Sequence, residues 1–190
     1  MSLINNHTNY MNFWSDASAY HKLIKHDPYW RDLDANGTKE CHFVRVIDSG
    51  ANPFNPNYYL KEVIEQNRDQ LTYPAVLAES LRTKYQKQGQ ITAAGHGALI
   101  VLIETGDKNN FDSINNAITQ GELICQQMIG YLQQHLKANP NLGRLDWNSV
   151  IINPIGPVLD DVFGGRVDFE IEAPANSSFC FEESAWDLPG

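Results

Sequence analysis

The chain is poor in cysteine, poor in basic residues and without any long apolar run. Cysteine occurs three times in 190 residues, at Cys41, Cys125 and Cys180. An odd number at wide spacing, with no Cys-x-x-Cys pair, argues against a disulfide framework and against a zinc ribbon. It suits a reducing compartment. Lysine and arginine together number 14 against 23 acidic residues, giving a formal charge of −9. A polyanion is repelled on average and no basic run offsets this, so neither nucleic acid nor an anionic membrane is expected as a partner. No apolar run reaches membrane-spanning length, and Met1 to Tyr20 lacks an apolar signal core. A cytoplasmic protein is the resulting expectation. Phosphate-binding glycine loops, Gly-x-Ser-x-Gly and His-Glu-x-x-His are all missing.

What is present describes a globular α+β domain. Hydrophobic residues make up 42% and charged residues 19%, too apolar for global disorder. The length suits one domain over residues 1–190, with 1–12 and 175–190 irregular. The clearest signal is a helix from Phe111 to Ala138. Its apolar stripe runs through Ile114, Ala117, Ile118, Ile124, Cys125, Met128, Ile129, Leu132 and Leu136. Pro140 and Gly143 stop it. Further helices are predicted over Phe13–Lys25 and Tyr58–Gln70, and strands over His42–Ile47, Tyr73–Ala78, Gly97–Ile103, Val150–Ile152 and Arg166–Glu172. Pro74 belongs at the start or edge of its strand. Gly97–Ile103, the most apolar strand, is expected to be central and covered on both faces. Ser80–Thr92 reads as a long exposed loop or a hairpin extension. Gly164-Gly165 reads as a hairpin turn or bulge. The order from His42 to Val158 is βαββαβ, a ferredoxin-like order with an N-terminal helix and an extra C-terminal strand. The helices would lie on one face of a mostly antiparallel sheet.

Candidate chemistry is sparse. His96, between Gly95 and Gly97, stands where an exposed general base could sit, but no nucleophile accompanies it at a recognisable spacing. Cys41 and His42 are neighbours in a strand, so they face opposite sides and cannot form a dyad. A site built around His96, Glu79 and Cys41 is the enzymatic or ligand-binding alternative. His21 and His26 are five apart, wrong for ligands on one helix face. Asp160, Asp161, Asp168 and Glu170 are acidic neighbours without calcium-loop spacing. No catalytic residue, no cofactor and no tightly bound transition metal is therefore expected.

The order of motifs carries a resemblance. Tyr73-Pro74-Ala75 opens a strand, and a polar loop and the apolar strand Gly97–Ile103 follow. Next come the turn Asp107–Phe111, the long helix to Ala138 and the alternating strand Gly165–Ile171. Over roughly residues 40–173 this layout resembles uncharacterised bacterial prophage-like, tail-associated proteins. It also resembles phage tail-terminator and tail-completion proteins, which use a small α/β domain to make rings. The resemblance implies a non-enzymatic structural component, ring-forming or capping, whose partners are further copies of itself or other tail proteins. It supplies no catalytic residue. The strand Arg166–Glu172 turns Val167, Phe169 and Ile171 one way and its charges the other. Its edge, if open, would invite another chain.

Overall fold

Local patterning accounts for each element of the sheet and for the helices that cover it. The structure is a computed structural model and describes residues 7–21, 43–46, 65, 71, 73–88, 90–158 and 161–174. Among the described residues two α-helices with described bounds, α1 (His7–Tyr20) and α2 (Phe111–Ala138), accompany six strands: β1 (Phe43–Val46), β2 (Ala75–Glu79), β3 (Arg82–Gln88), β4 (Gln90–Glu104), β5 (Arg144–Ile155) and β6 (Val162–Pro174). The helix α1 begins at His7, six residues before the expected Phe13. Of the helix expected over Tyr58–Gln70, only Glu65 is described, and it is helical. The flanks of β1 and residues 175–190 lie outside the described residues.

The sheet runs β1-β2-β4-β6-β5, with β3 pairing β4 beyond the end of β2. All pairings are antiparallel except β1 with β2. The protein is thus α+β with a mostly antiparallel open sheet. The finer ferredoxin-like order is not seen: β1 lies outermost and pairs β2 alone among the described strands. The segment Ser80–Thr92 is a hairpin extension, since β3 folds back on the first half of β4. Strand β6 is interior, paired along both sides by β4 and β5. The edge of Arg166–Glu172 is therefore not open, and among the described strands the outer position on this side belongs to β5.

Helix α2 keeps its expected bounds because its end signals are local. The Asn110 carboxamide oxygen accepts from the N–H groups of Asp112 at 2.9 Å and Ser113 at 3.4 Å, satisfying donors that the first turn leaves open. Asp112 at one end and Lys137 at the other suit the helix dipole. Ile124, Cys125, Met128, Ile129, Leu132 and Leu136 are buried against the sheet, each large side chain contributing about 2 kcal/mol of burial. Helix α1 lies on the same face. Phe13 stacks on Tyr131 with ring centroids 5.5 Å apart, and Trp14 meets Phe169 at 5.7 Å.

The second face of the sheet is divided. At one end Ala75, Leu77, Ile100, Leu102, Val158 and Val162 form a small separate core. Strand β4 is accordingly buried on both faces from Leu99 to Leu102. Gly164 and Gly165 are strand residues, not a turn. They lie within β6 opposite Leu102 and Val101, where α2 presses on the strand through Gly121.

Candidate functional site

At the other end of the second face the alternating strands turn charged side chains outward. In β6, Val167, Phe169 and Ile171 go into the core while Arg166, Asp168 and Glu170 face away from the helices. In β4 the same alternation places His96 beside Glu170 and Ala98 beside Asp168. Glu79 ends β2, one residue past the Ala78–Leu99 pair. These outward-facing residues line a cavity of about 460 Å³ together with Arg82, Ser149 and Ile151.

Arg166 organises it. The side chain starts on β6 and spans β4 to reach β2, where one terminal nitrogen donates to Glu79 Oε1 at 2.7 Å. The other donates to Glu79 Oε2 at 3.3 Å and Asp168 Oδ1 at 2.8 Å. Nε donates to both Asp168 oxygens, at 3.1 and 3.0 Å. Strands two apart are about 10 Å distant; Arg166 is paired with Ile100, and its guanidinium reaches diagonally toward the level of Ala98, which stands between Asp168 and Glu79. Burial disfavours the guanidinium's charge, but the hydrogen bonds and charges of Asp168 and Glu79 outweigh it and raise its pKa above the ordinary arginine value. An arginine held this way is a cross-sheet strut. Its donors are committed to protein carboxylates, which leaves it poorly placed to receive an anion.

Beside it, His96 Nε2 lies 3.0 Å from Glu170 Oε1. The backbone N–H of Glu170 donates to Ser149 Oγ at 2.7 Å, and Ser149 Oγ donates to the Asp146 carbonyl at 2.6 Å. Ser149 is thereby engaged with backbone groups and not with the imidazole.

Of the three residues named for a site, the fold brings His96 and Glu79 to one cavity, while Cys41 lies outside the described residues. The acidic neighbours separate. Asp168 and Glu170 line the cavity, whereas Asp161 holds the other end of β6, its carbonyl accepting from Thr105 N–H at 2.8 Å and Thr105 Oγ1 at 3.1 Å. Asp160 and His26 lie outside the described residues. His21 Nε2 is hydrogen-bonded to Gln127 Oε1 on α2 at 2.6 Å. Among the described residues no group of three or more histidine, cysteine or carboxylate side chains is placed to hold a metal, and no helix is long and apolar enough to cross a membrane. Arg166 went unnoticed as a site residue in the sequence. The signal was its position in phase with Asp168 and Glu170 on the polar side of an alternating strand.

The second feature of this face is its border. Strand β5 pairs only β6 among the described strands. Its register shifts between Asp146 and Ile151, and around that bulge Trp147 and Ile151 are each 55% exposed. No protein-family model matches the chain, and no curated protein matches it.

Proposed function

We propose that this chain is a non-enzymatic assembly component, of the ring-forming or capping kind that phage-like tails use. The observation that carries the reading is the outer strand β5. It is twelve residues long, lies at the border of the described sheet and bears Trp147 and Ile151 in the open. Large apolar side chains exposed beside an edge mark a place where another chain is received. The bulge and Pro154 on the same strand keep such an edge selective, because both interrupt a continuous ladder. The test is sedimentation velocity on the full chain over a range of salt and protein concentration. Reversible self-association, or a complex with products of neighbouring genes, is the expected result. A strict monomer that binds none of those products sinks the reading.

A second reading has its own observation, the cavity lined by His96, Glu79, Glu170 and Arg166. It makes the domain a small-ligand module, with His96 as a base oriented by Glu170. Thermal shift with a library of small amines and polar metabolites tests it. A ligand whose effect disappears in His96→Ala favours this reading over assembly.

A further inference from the structure

The assembly reading leaves open what covers β5. The four strands β3, β4, β6 and β5 lie side by side at one end of the sheet, and every pairing among them is antiparallel. Four alternating strands give the outer two opposite directions. A second copy related by rotation about an axis along the strands would therefore bring its β3 alongside β5 antiparallel. That continues the alternation already in the sheet, in the ladder type with the better hydrogen-bond geometry.

The two borders are also unlike in charge. Between Glu79 and Glu104 the chain has no acidic residue and carries Arg82, Lys84 and Lys87. Arg82 pairs His96 and Lys84 pairs Ala94, which puts both basic side chains on the same face as Glu170; both residues are exposed. At the far border, His96 leads across the sheet to Glu170 and Glu170 to Asp146. The row beginning at Arg82 thus ends at Asp146. The next row begins at Lys84 and ends at Arg144, whose charge is met by Glu172 at 2.7 Å. Each border also exposes an aromatic residue, Tyr85 at 45% and Trp147 at 55%. A basic border and an acid-backed border on opposite sides of one sheet are complementary to each other, not to themselves.

We infer that copies of this chain associate head to tail, the β3 border of one copy adding antiparallel to the β5 border of the next, with Arg82 meeting the Glu170–Asp146 row and Lys84 the Glu172–Arg144 row of its neighbour. This rests on the assembly reading and names its interface. It is a heterologous contact, which closes into a ring or continues as a filament according to the sheet's twist. The high net negative charge is then offset locally where the hairpin meets the acidic rows, and high salt weakens the contact.

Two variants decide it. Arg82→Glu/Lys84→Glu reverses the first border and Asp146→Ala/Trp147→Ala strips the second without placing a positive charge there; should the latter fail to fold, Trp147→Ala alone, at an exposed position on the same border, replaces it. Circular dichroism melts establish that each is folded. Sedimentation velocity should find each variant monomeric alone. Mixed in equal amounts they should form a heterodimer that does not grow, because each supplies the border the other lacks. Undiminished self-association of either variant, or a mixture that stays monomeric, overturns the head-to-tail interface while leaving assembly by another surface standing. Wild-type protein that is strictly monomeric and binds no neighbouring gene product overturns the assembly reading itself, and this interface with it.

Discussion

Gly121 of α2 and Gly165 of β6 meet backbone to backbone. A Cβ placed on Gly121 would stand 2.5 Å from the amide nitrogen of Gly165 and 2.6 Å from Gly164 Cα. Helix and strand approach this closely only because neither has a side chain at the crossing. Gly130, nine residues further along the same helix, would have nothing within 4 Å of an added methyl. Helix propensity favours alanine over glycine by about 1 kcal/mol. Gly130→Ala is therefore expected to stabilise the protein by up to about 1 kcal/mol, while Gly121→Val costs about 2 kcal/mol through overpacking. Chemical denaturation of the two variants checks this. Equal effects at both positions would contradict the packing described.

The two arginine pairs on the open face should differ in weight. The Arg166–Glu79 pair is mostly covered, with side chains 22% and 18% exposed, whereas those of Arg144 and Glu172 are 80% and 40% exposed. Removing Arg166 leaves two carboxylates facing each other across Ala98. Arg166→Leu is expected to cost roughly 2–3 kcal/mol, below the range for a fully buried pair because solvent still reaches the site. Arg144→Leu should leave the denaturation midpoint unchanged within error. Comparison of the two midpoints is the measurement, and a larger loss for Arg144 would reverse the assignment.

Tyr10 carries a buried hydroxyl with no hydrogen-bond partner among the described residues. It lies against Gly97, where an added Cβ would be 2.5 Å from the oxygen. An unpaired buried hydroxyl costs about 1–3 kcal/mol. Tyr10→Phe is accordingly expected to raise the melting temperature. A clear fall would mean that the hydroxyl is satisfied in solution.

Alkaline pH should unfold the protein. Burial pushes the Cys125 thiol up from 9.0 to about 12, a hydrogen bond with the Val101 backbone opposing and the charge of Glu122 reinforcing it. Burial likewise raises the Tyr10 hydroxyl above 10.0. The folded state holds these protons while the unfolded chain releases them, so stability is fully present below about pH 9 and declines as pH rises toward 12. Urea denaturation from pH 7 upward should show this fall. In a Cys41→Ser/Cys180→Ser background, Cys125 should resist a thiol reagent at pH 8 until the protein unfolds. Rapid labelling of the native protein would show that the thiol is accessible.

Elements whose signals are local were legible in the chain itself. Helix α2 runs from Phe111 to Ala138 as read, because a 3.6-residue stripe, an Asn cap and a following Pro140 act within a few residues of one another. The alternation from Arg166 to Glu172 likewise marked which side chains enter the core, since a strand turns successive side chains to opposite faces. Which strand stands beside which emerged only on folding. Alternation is the same in an edge strand and an interior one, so it did not reveal that β6 is flanked on both sides and that β5 takes the border. Gly164 and Gly165 resembled a turn because their reason for being glycine, the close passage of Gly121, lies more than forty residues away in the chain. The cavity followed the same rule. His96 and Glu79 were visible as isolated residues, but Glu170 and Arg166 joined them only when three separate strands came into register. Pairing between distant strands is fixed by the collective burial of both faces of the sheet, which no short stretch of sequence encodes.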